Sequence, residues 1–146
     1  MPQNNRKFIN KYNNINFLHK ISMQLILYLM TKRKITKIDN LKFEPFDRYG
    51  KVIPGMSWHL VSYDKKTQYG TYISKLEPGT KTIPHVHTGY EEFMILEGEL
   101  IDSDGTVFRK GDLVTFEPNT SHSSFTKKGC LILTFMRGQN NQIKEE

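Results

Sequence analysis

The chain has 146 residues, of which 37% are hydrophobic and 25% charged, and its formal net charge is +6. This length and composition are typical of one globular domain. The single cysteine, Cys130, excludes an intrachain disulfide and a CxxC zinc pair. Nothing in the cysteine usage points to an oxidising compartment, so we expect a cytoplasmic protein.

The basic excess lies in residues 1–40. They carry eight Lys or Arg and one acid, whereas residues 41–146 carry thirteen Lys or Arg and fourteen acids, so the two parts have charges of +7 and −1. A basic segment can bind nucleic acid or an anionic membrane. This leader lacks the interleaved basic and aromatic residues of a nucleic-acid groove. We therefore expect a solvated leader, with no nucleic-acid partner and no membrane partner.

Part of the leader has helical periodicity, which favours a short amphipathic helix in an otherwise flexible segment. The apolar run 21–30 is shorter than the ~20 residues that span a bilayer, and no small-residue cleavage site follows it. One hypothesis is that translation starts at Met23 or Met30 and that the preceding residues are not native. The apolar residues at helical spacing are Leu18, Ile21, Leu25 and Leu29.

From about residue 56, short β-rich runs alternate with turn signals rich in Gly, Pro, Asn and Asp. This rhythm predicts an all-β sandwich or barrel. We expect one domain over 41–137, with 41–55 as its lead-in and 138–146 as a polar, frayed tail. The predicted strands are Trp58–Tyr63, Gly70–Leu76, Thr82–His87, Glu92–Leu96, Glu99–Ile101, Thr106–Arg109, Leu113–Glu117, His122–Thr126 and Cys130–Phe135.

The residues that point to chemistry begin with a His-x-His pair. His85 and His87 are two apart on a predicted strand, so their side chains share one face. A tight turn through 88–90 would bring Glu91 back on the next strand, where hairpin neighbours lie ~5 Å apart. An antiparallel barrel can return His122 to the same interior face. Three imidazoles and one carboxylate could then share one metal ion.

The stretch from Gly79 to Gly98 resembles the first motif of the cupin superfamily, G(X)5HXH(X)3–4E(X)6G, at every fixed position. The stretch from Gly111 to His122 resembles the second motif, G(X)5PXG(X)2H(X)3N, with departures. Six residues separate Gly111 from Pro118, Thr120 stands where a Gly is expected, His122 falls one residue early, and no Asn closes the motif. The departures keep the histidine and concern the turn before it.

The resemblance covers about residues 56–137 and implies a single-domain cupin, a double-stranded β-helix or jelly-roll barrel. Within the superfamily, the run from Trp58 through Asp64, Gly70 and Glu91 is similar to the group that contains acetylacetone-cleaving dioxygenase and the cupin domain of zinc anti-sigma factors. The acetylacetone-cleaving enzyme uses three histidines without a glutamate, so Glu91 does not assign the subgroup. Cupins of this kind often form homodimers, and we keep that as an expectation.

The family implies a divalent metal held by His85, His87, Glu91 and His122, with open positions for water, substrate or oxygen. Imidazole and carboxylate ligands suit Fe, Mn, Ni, Co or Zn. Glu91 is preferred to Glu92 as the ligand because its six-residue spacing to Gly98 fits, and either carboxylate could move protons in catalysis. Because the ligands titrate, we expect metal to be lost below about pH 6.

Aromatic and sulfur-containing side chains could line an apolar pocket around the metal, although ordinary barrel packing is favoured for any single one of them. They are Tyr72, Tyr90, Phe93, Met94, Phe116 and Phe135.

Three functions fit these residues. The first is a metalloenzyme, such as a dioxygenase that cleaves a diketone-like or phenolic ketone substrate. The second is a metal-dependent small-molecule sensor without turnover; the anti-sigma resemblance suggests it, but residues 1–55 contain no cysteine for the zinc domain that accompanies those cupins. The third is a structural barrel with an incidental metal. We favour the enzyme because the site has open positions.

Overall fold

The computed structural model describes residues 20, 22–23, 25–26 and 29–143. The chain divides into two units, residues 1–37 and 38–146. In the first unit the described positions between 20 and 31 are helical, and Leu25 and Leu29 are exposed. The other two members of the predicted apolar face, Leu18 and Ile21, lie outside the described residues. Within the described part of the chain, no helix is long and apolar enough to cross a membrane.

The second unit is built from antiparallel strands in two sheets. The larger sheet has the order β1-β2-β3-β10-β5-β6, and β7 and β9 also pair with β5; the smaller sheet has the order β11-β4-β8. A 3-10 turn, Ile38–Asn40, precedes them. The strands are β1 (Glu44–Pro45), β2 (Met56–Leu60), β3 (Gly70–Leu76), β4 (His85–His87), β5 (Tyr90–Asp102), β6 (Val107–Arg109), β7 (Leu113–Phe116), β8 (Ser121–His122), β9 (Ser124–Phe125), β10 (Cys130–Arg137) and β11 (Asn140–Gln142).

The hydrophobic core lies on the inner face of the larger sheet. Burial alternates along β10 and through most of β5, as expected when one face of a strand packs and the other meets solvent. Trp58 is 1% exposed, and its ring lies 4.5 Å from that of Phe46 and 5.5 Å from that of Tyr72. Tilted and edge-on rings at these distances attract one another in addition to burying apolar area. The predicted all-β fold is therefore confirmed.

One predicted turn is wrong. We expected a turn at Gly98 between the predicted strands Glu92–Leu96 and Glu99–Ile101, but β5 runs through it without interruption. Gly98 has a φ of 75°, and a Cβ there would lie 2.2 Å from the carbonyl oxygen of Gly129. The register between β5 and β10 shifts beside it, between Leu131 and Ile132. The glycine thus serves a bulge and a close backbone approach, which bend a strand without ending it.

The segment after Arg137, expected to fray, instead joins the smaller sheet. Residues 140–142 form β11 and pair with β4, so that Asn140 is the partner of His87. Thr88 fixes this contact, because its N–H and Oγ1 both bond to the Gln139 carbonyl oxygen while Oγ1 accepts from the Gln139 N–H. Residues 144–146 lie outside the described residues.

Candidate metal centre

The smaller sheet brings the three histidines together. His85 and His87 are both buried on β4, while Val86 between them is half-buried, as alternation along a strand requires. β8 pairs with β4 so that His122 lies directly opposite His85. The ring centroids of His85 and His122 are 4.7 Å apart. The two cupin-like stretches therefore meet through a direct strand pairing.

Glu91 reaches the histidines by a route that differs from the predicted one. We expected β4 and β5 to form a hairpin, but they belong to different sheets. The bend at Thr88 and Gly89 carries the chain from the smaller sheet to the larger one. Glu91, the second residue of β5, is buried and faces β4 across the interior. The carboxylate thus approaches the imidazoles from the opposite wall.

The four side chains offer ligand atoms that lie within 4.8 Å of one another. The Nε2 atoms of His85 and His87 are 3.1 Å apart. Glu91 Oε2 lies 3.9 Å from the first of these nitrogens and 3.7 Å from the second. All four residues are at most 8% exposed. Among the residues described, these four side chains form a compact and buried set of possible metal ligands.

Each histidine is oriented by a hydrogen bond at its other ring nitrogen. His85 Nδ1 donates to the Ile83 carbonyl oxygen at 2.8 Å, and His122 Nδ1 donates to Asp102 Oδ1 at 3.0 Å. Neither oxygen has a proton to give, so both Nδ1 atoms carry hydrogen.

The same holds for His87. Thr120 Oγ1 gives its proton to the Glu117 carbonyl oxygen at 2.6 Å and lies 2.9 Å from His87 Nδ1. That nitrogen must therefore be the donor. When the rings are neutral, all three Nε2 atoms consequently present lone pairs toward a common centre.

This arrangement fits a metal ion. Two Nε2 lone pairs 3.1 Å apart repel one another, and neither nitrogen has a proton to share. His122 Nε2 is buried without a hydrogen-bond partner among the described residues, which costs free energy in an apolar interior. A cation between the rings would satisfy all three nitrogens and the carboxylate together. Nδ1–H groups held by backbone or carboxylate oxygens are the usual supports of metal-binding imidazoles.

The electrostatics favour the forms that bind metal. Burial lowers the pKa of His85, and it lowers the pKa of His87 to about 4. Burial alone would raise the pKa of Glu91, but His85, the Asn140 amide, His87 and Arg48 outweigh it and bring this pKa below its usual value. At neutral pH His85 and His87 are therefore neutral imidazoles and Glu91 is a carboxylate, the states in which these groups are ligands.

Two polar residues that the sequence reasoning missed complete the site. Asn140 Nδ2 donates to Glu91 Oε2 and fixes one oxygen of the carboxylate. Thr120, which stands where a cupin glycine was expected, orients His87. The neighbouring Asn119 has a φ of 69°, so it supplies the left-handed backbone one residue earlier. The absence of glycine at 120 was the available signal, and it was interpreted only as a change in turn geometry.

Glu92, the other predicted catalytic carboxylate, is not brought to the cluster. It follows Glu91 on β5 and therefore points to the opposite face. There it forms an ion pair with Arg137 at 2.9 Å. The structure thus separates the two glutamates that the sequence left as alternatives for proton transfer.

A cavity of about 60 Å³ adjoins the cluster inside the barrel. His85, Glu91 and His122 line one part of it, and the guanidinium of Arg48 lines another. A volume of this size holds a few waters or a small ligand. Most of the remaining wall is apolar and comprises Phe46, Ile53, Met56, Leu76, Ile83, Phe93, Leu100 and Ile132.

The residues predicted to surround the metal divide into two groups. Tyr72 and Phe93 line the cavity, and the ring of Phe116 packs 4.1 Å from that of His122. Tyr90 is 40% exposed, and Met94 and Phe135 are half-buried outside the cavity lining.

Comparison with known proteins extends this description. The family model of the ChrR Cupin-like domain matches residues 31–139. No curated protein matches the chain significantly. Among solved structures, an acetylacetone dioxygenase from Acinetobacter johnsonii is 20% identical, with a TM-score of 0.60 over 77% of this chain and 83% of that chain.

Two further structures share the fold. The polyketide cyclase RemF from Streptomyces resistomycificus is 16% identical, with a TM-score of 0.61 over 78% of this chain and 87% of that one. The Rhodobacter sphaeroides complex of SigE with the anti-sigma ChrR gives 15% identity and a TM-score of 0.52 over 67% of this chain and 49% of that one. These similarities and the family match confirm the cupin fold expected from the two motifs, and the chain belongs to the family of ChrR cupin-like domains.

Proposed function

We propose that this protein binds one divalent transition metal through His85, His87, Glu91 and His122, and that it is a metalloenzyme acting on a small carbonyl compound. The observation that carries the proposal is the convergence of three Nε2 lone pairs and one carboxylate beside a cavity. Fe, Mn, Ni, Co and Zn all suit this donor set.

The finer proposal is a dioxygenase acting on a diketone-like or phenolic ketone substrate. A similar structure is an acetylacetone dioxygenase, and another is a polyketide cyclase. Acetylacetone and polyketide chains both contain 1,3-dicarbonyl units, whose paired oxygens can chelate a metal. When bound, the metal would supply Lewis-acid activation of the carbonyl oxygens and a site for oxygen.

The protein's own groups have separate roles in this scheme. The apolar wall excludes water and favours a small substrate with little polar surface. Of the two predicted catalytic carboxylates, Glu91 lines the cavity and Glu92 does not. Glu91 would therefore accept a proton from the substrate. Asn140 donates to Oε2, the same oxygen that lies 3.7 Å from His87 Nε2, so the amide would orient the oxygen nearest the histidines and leave Oε1 to accept the proton.

A sensor without turnover is the alternative, and one observation favours it. The family description names ChrR, and one similar structure is an anti-sigma protein in complex with SigE. The cytoplasmic location and the homodimer remain predictions under either proposal.

The test is elemental analysis of freshly purified protein, followed by oxygen uptake of the Fe(II)-loaded protein with acetylacetone and related ketones. We expect about one metal per chain and ketone-dependent oxygen uptake. His87→Ala should lose both. His59→Ala is the matched control, because its ring contacts the Lys42 carbonyl oxygen outside the cluster. Stoichiometric metal without uptake for any ketone would favour the sensor, and no metal at all would refute both proposals.

A further inference from the structure

Arg48 places a positive charge beside the candidate metal centre. It lies in the loop between β1 and β2, and its side chain lines the same cavity as Glu91 and His122. No carboxylate among the described residues forms an ion pair with it. A largely buried guanidinium without an anionic partner is uncommon, because removing the charge from water is costly.

Half of the guanidinium is already held. Nη1 donates to Tyr72 Oη at 3.3 Å and to Met136 Sδ at 3.7 Å. The central carbon lies 5.8 Å from the ring centroid of Tyr49 and 5.6 Å from that of Tyr63. Aromatic rings at these distances attract a cation and limit its rotation. The orientation of the guanidinium is therefore set before any ligand enters.

The other half is free of partners. Nε and Nη2 are buried, and neither has a hydrogen-bond partner among the described residues. The Nε–H and the nearer Nη2–H point in the same direction along one edge of the planar group. This edge is the fork that binds a carboxylate through two parallel hydrogen bonds. Buried donors left without acceptors destabilise a protein, and such groups often mark a binding site.

The cavity restricts what this fork can bind. Its volume is about 60 Å³ and its remaining wall is mostly apolar. Arg48 is the one lysine or arginine among the described residues that line the cavity, and the carboxylate of Glu91 lies close enough to interact electrostatically with its guanidinium. The single positive charge and the nearby Glu91 carboxylate disfavour a doubly charged anion, and the small volume disfavours a bulky one. A monocarboxylate satisfies the charge and the two-point geometry, and the small volume favours the shortest carbon chains.

We propose that the Arg48 Nε and Nη2 edge binds the carboxylate of a short oxo acid whose ketone oxygen reaches the candidate metal centre. The substrate class is then a 3-oxo acid, in which a carboxylate replaces one carbonyl group of a neutral diketone. The part of this inference that concerns the ketone rests on the proposed function. Carboxylate binding by Arg48 stands without it.

Acetoacetate and methyl acetoacetate form a matched pair of probes, because they differ in charge and share the 3-oxo chain. Isothermal titration at constant ionic strength would measure both with Zn(II)-loaded protein, whose metal does not consume oxygen. We expect acetoacetate to bind at least about tenfold tighter than the ester, as a charge-assisted fork predicts. Acetylacetone, the neutral diketone, should bind like the ester.

Three variants localise the effect. Arg48→Met should weaken acetoacetate binding by roughly 10- to 100-fold and leave the ester within about threefold. Arg48→Lys keeps the charge without the fork and should give an intermediate value. Arg109→Met removes an exposed arginine on β6 and should change neither affinity.

Equal affinity for acid and ester, no measurable binding of acetoacetate, or unchanged binding in Arg48→Met would overturn the proposal. If inorganic phosphate competed for this site as effectively as acetoacetate does, the site would be a general anion site and not a carboxylate subsite. The comparison of acid with ester uses wild-type protein, so a variant that fails to fold does not remove the test. Repeating the comparison of acid with ester on metal-free protein separates the two proposals. A preference for the acid in that protein would support carboxylate binding by Arg48 even if metal binding or oxygen uptake failed.

Discussion

The two sheets of the domain differ in what they bury. The larger sheet buries apolar side chains such as Trp58 and Ile95, each 1% exposed. The smaller sheet has only three short strands, yet it buries His85, His87 and Asn140 together with the histidine of β8. The larger sheet thus supplies the hydrophobic stability that permits the smaller one to hold costly polar groups in fixed positions.

The largest effect should come from breaking the larger sheet's core. Trp58→Ala removes a side chain that packs against Phe46 and Tyr72. We expect the free energy of unfolding to fall by about 3–5 kcal/mol in chemical denaturation. The folded fraction should still bind one metal, since no ligand is touched. Tyr69→Ala, at a residue 51% exposed, is the control and should change stability by less than about 0.5 kcal/mol.

The smaller sheet should respond in the opposite way, with a larger change in metal binding than in stability. Asn140→Leu keeps the shape but removes the donor to Glu91. We expect metal affinity to fall roughly 10- to 100-fold, measured by competition with a chelator. Asn141→Leu is the matched control, because this neighbouring side chain is exposed. Equal affinity in the two variants would show that the amide does not support the carboxylate.

The stability of the metal-free protein should depend on pH through the smaller sheet. The pKa of His87 is lowered from 6.5 to about 4 by burial, so the unfolded chain binds its proton first as the pH falls. Stability is therefore fully present above about pH 6.5 and is lost progressively toward pH 4. Melting temperatures across this range would check it, and His87→Phe should flatten the curve.

The same lowered pKa revises the expected pH of metal loss. The sequence alone suggested release below about pH 6, from an ordinary imidazole. Because the pKa of His87 in the folded protein is about 4, protons displace the metal from this imidazole only at lower pH. We therefore expect the protein to retain its metal at pH 5.5. Elemental analysis after dialysis at that pH would check the revision.

A smaller effect is expected at Thr120. Thr120→Val removes the oxygen that accepts from His87 Nδ1 while keeping the volume. We expect metal affinity to fall about tenfold and stability to fall by about 1 kcal/mol. Thr120→Ser retains the hydroxyl and should restore the affinity in the same chelator competition. Failure of serine to restore it would assign the effect to the methyl group instead.

The smallest effect is expected on the outer face of the larger sheet. Glu92→Gln disrupts an ion pair with Arg137 that is partly exposed. Such pairs contribute about 0–1 kcal/mol, and metal affinity should not change. Glu91→Gln, one residue earlier, should weaken metal binding strongly. Similar losses in both variants would contradict the assignment of the two carboxylates to opposite faces.

Much of this fold could be predicted because alternation and turn residues are local signals. The predicted strand Gly70–Leu76 agrees with β3 at both ends. Local signals could not distinguish a hairpin from a crossing between sheets, since Thr88 and Gly89 suit either. Nor could they distinguish a turn glycine from a bulge glycine at Gly98, because both need a positive φ.

The predicted site residues belong to recognisable sequence motifs, whereas the site residues that were missed lie outside any motif. Asn140 lies in the polar run 138–142, and polarity near a chain end predicts fraying and not a strand. Arg48 lies beside Gly50 in a sequence typical of a surface turn. Their roles depend on long-range packing, which brings residues 48, 91 and 140 to one cavity.

The central claim is that three imidazoles and one carboxylate share one metal ion. Anomalous diffraction at the metal's absorption edge, from a crystal of the metal-loaded protein, tests it most directly. We predict one peak about 2.0–2.2 Å from the Nε2 atoms of His85, His87 and His122 and from an oxygen of Glu91. The absence of a peak there, or a peak bound to other residues, would contradict the account.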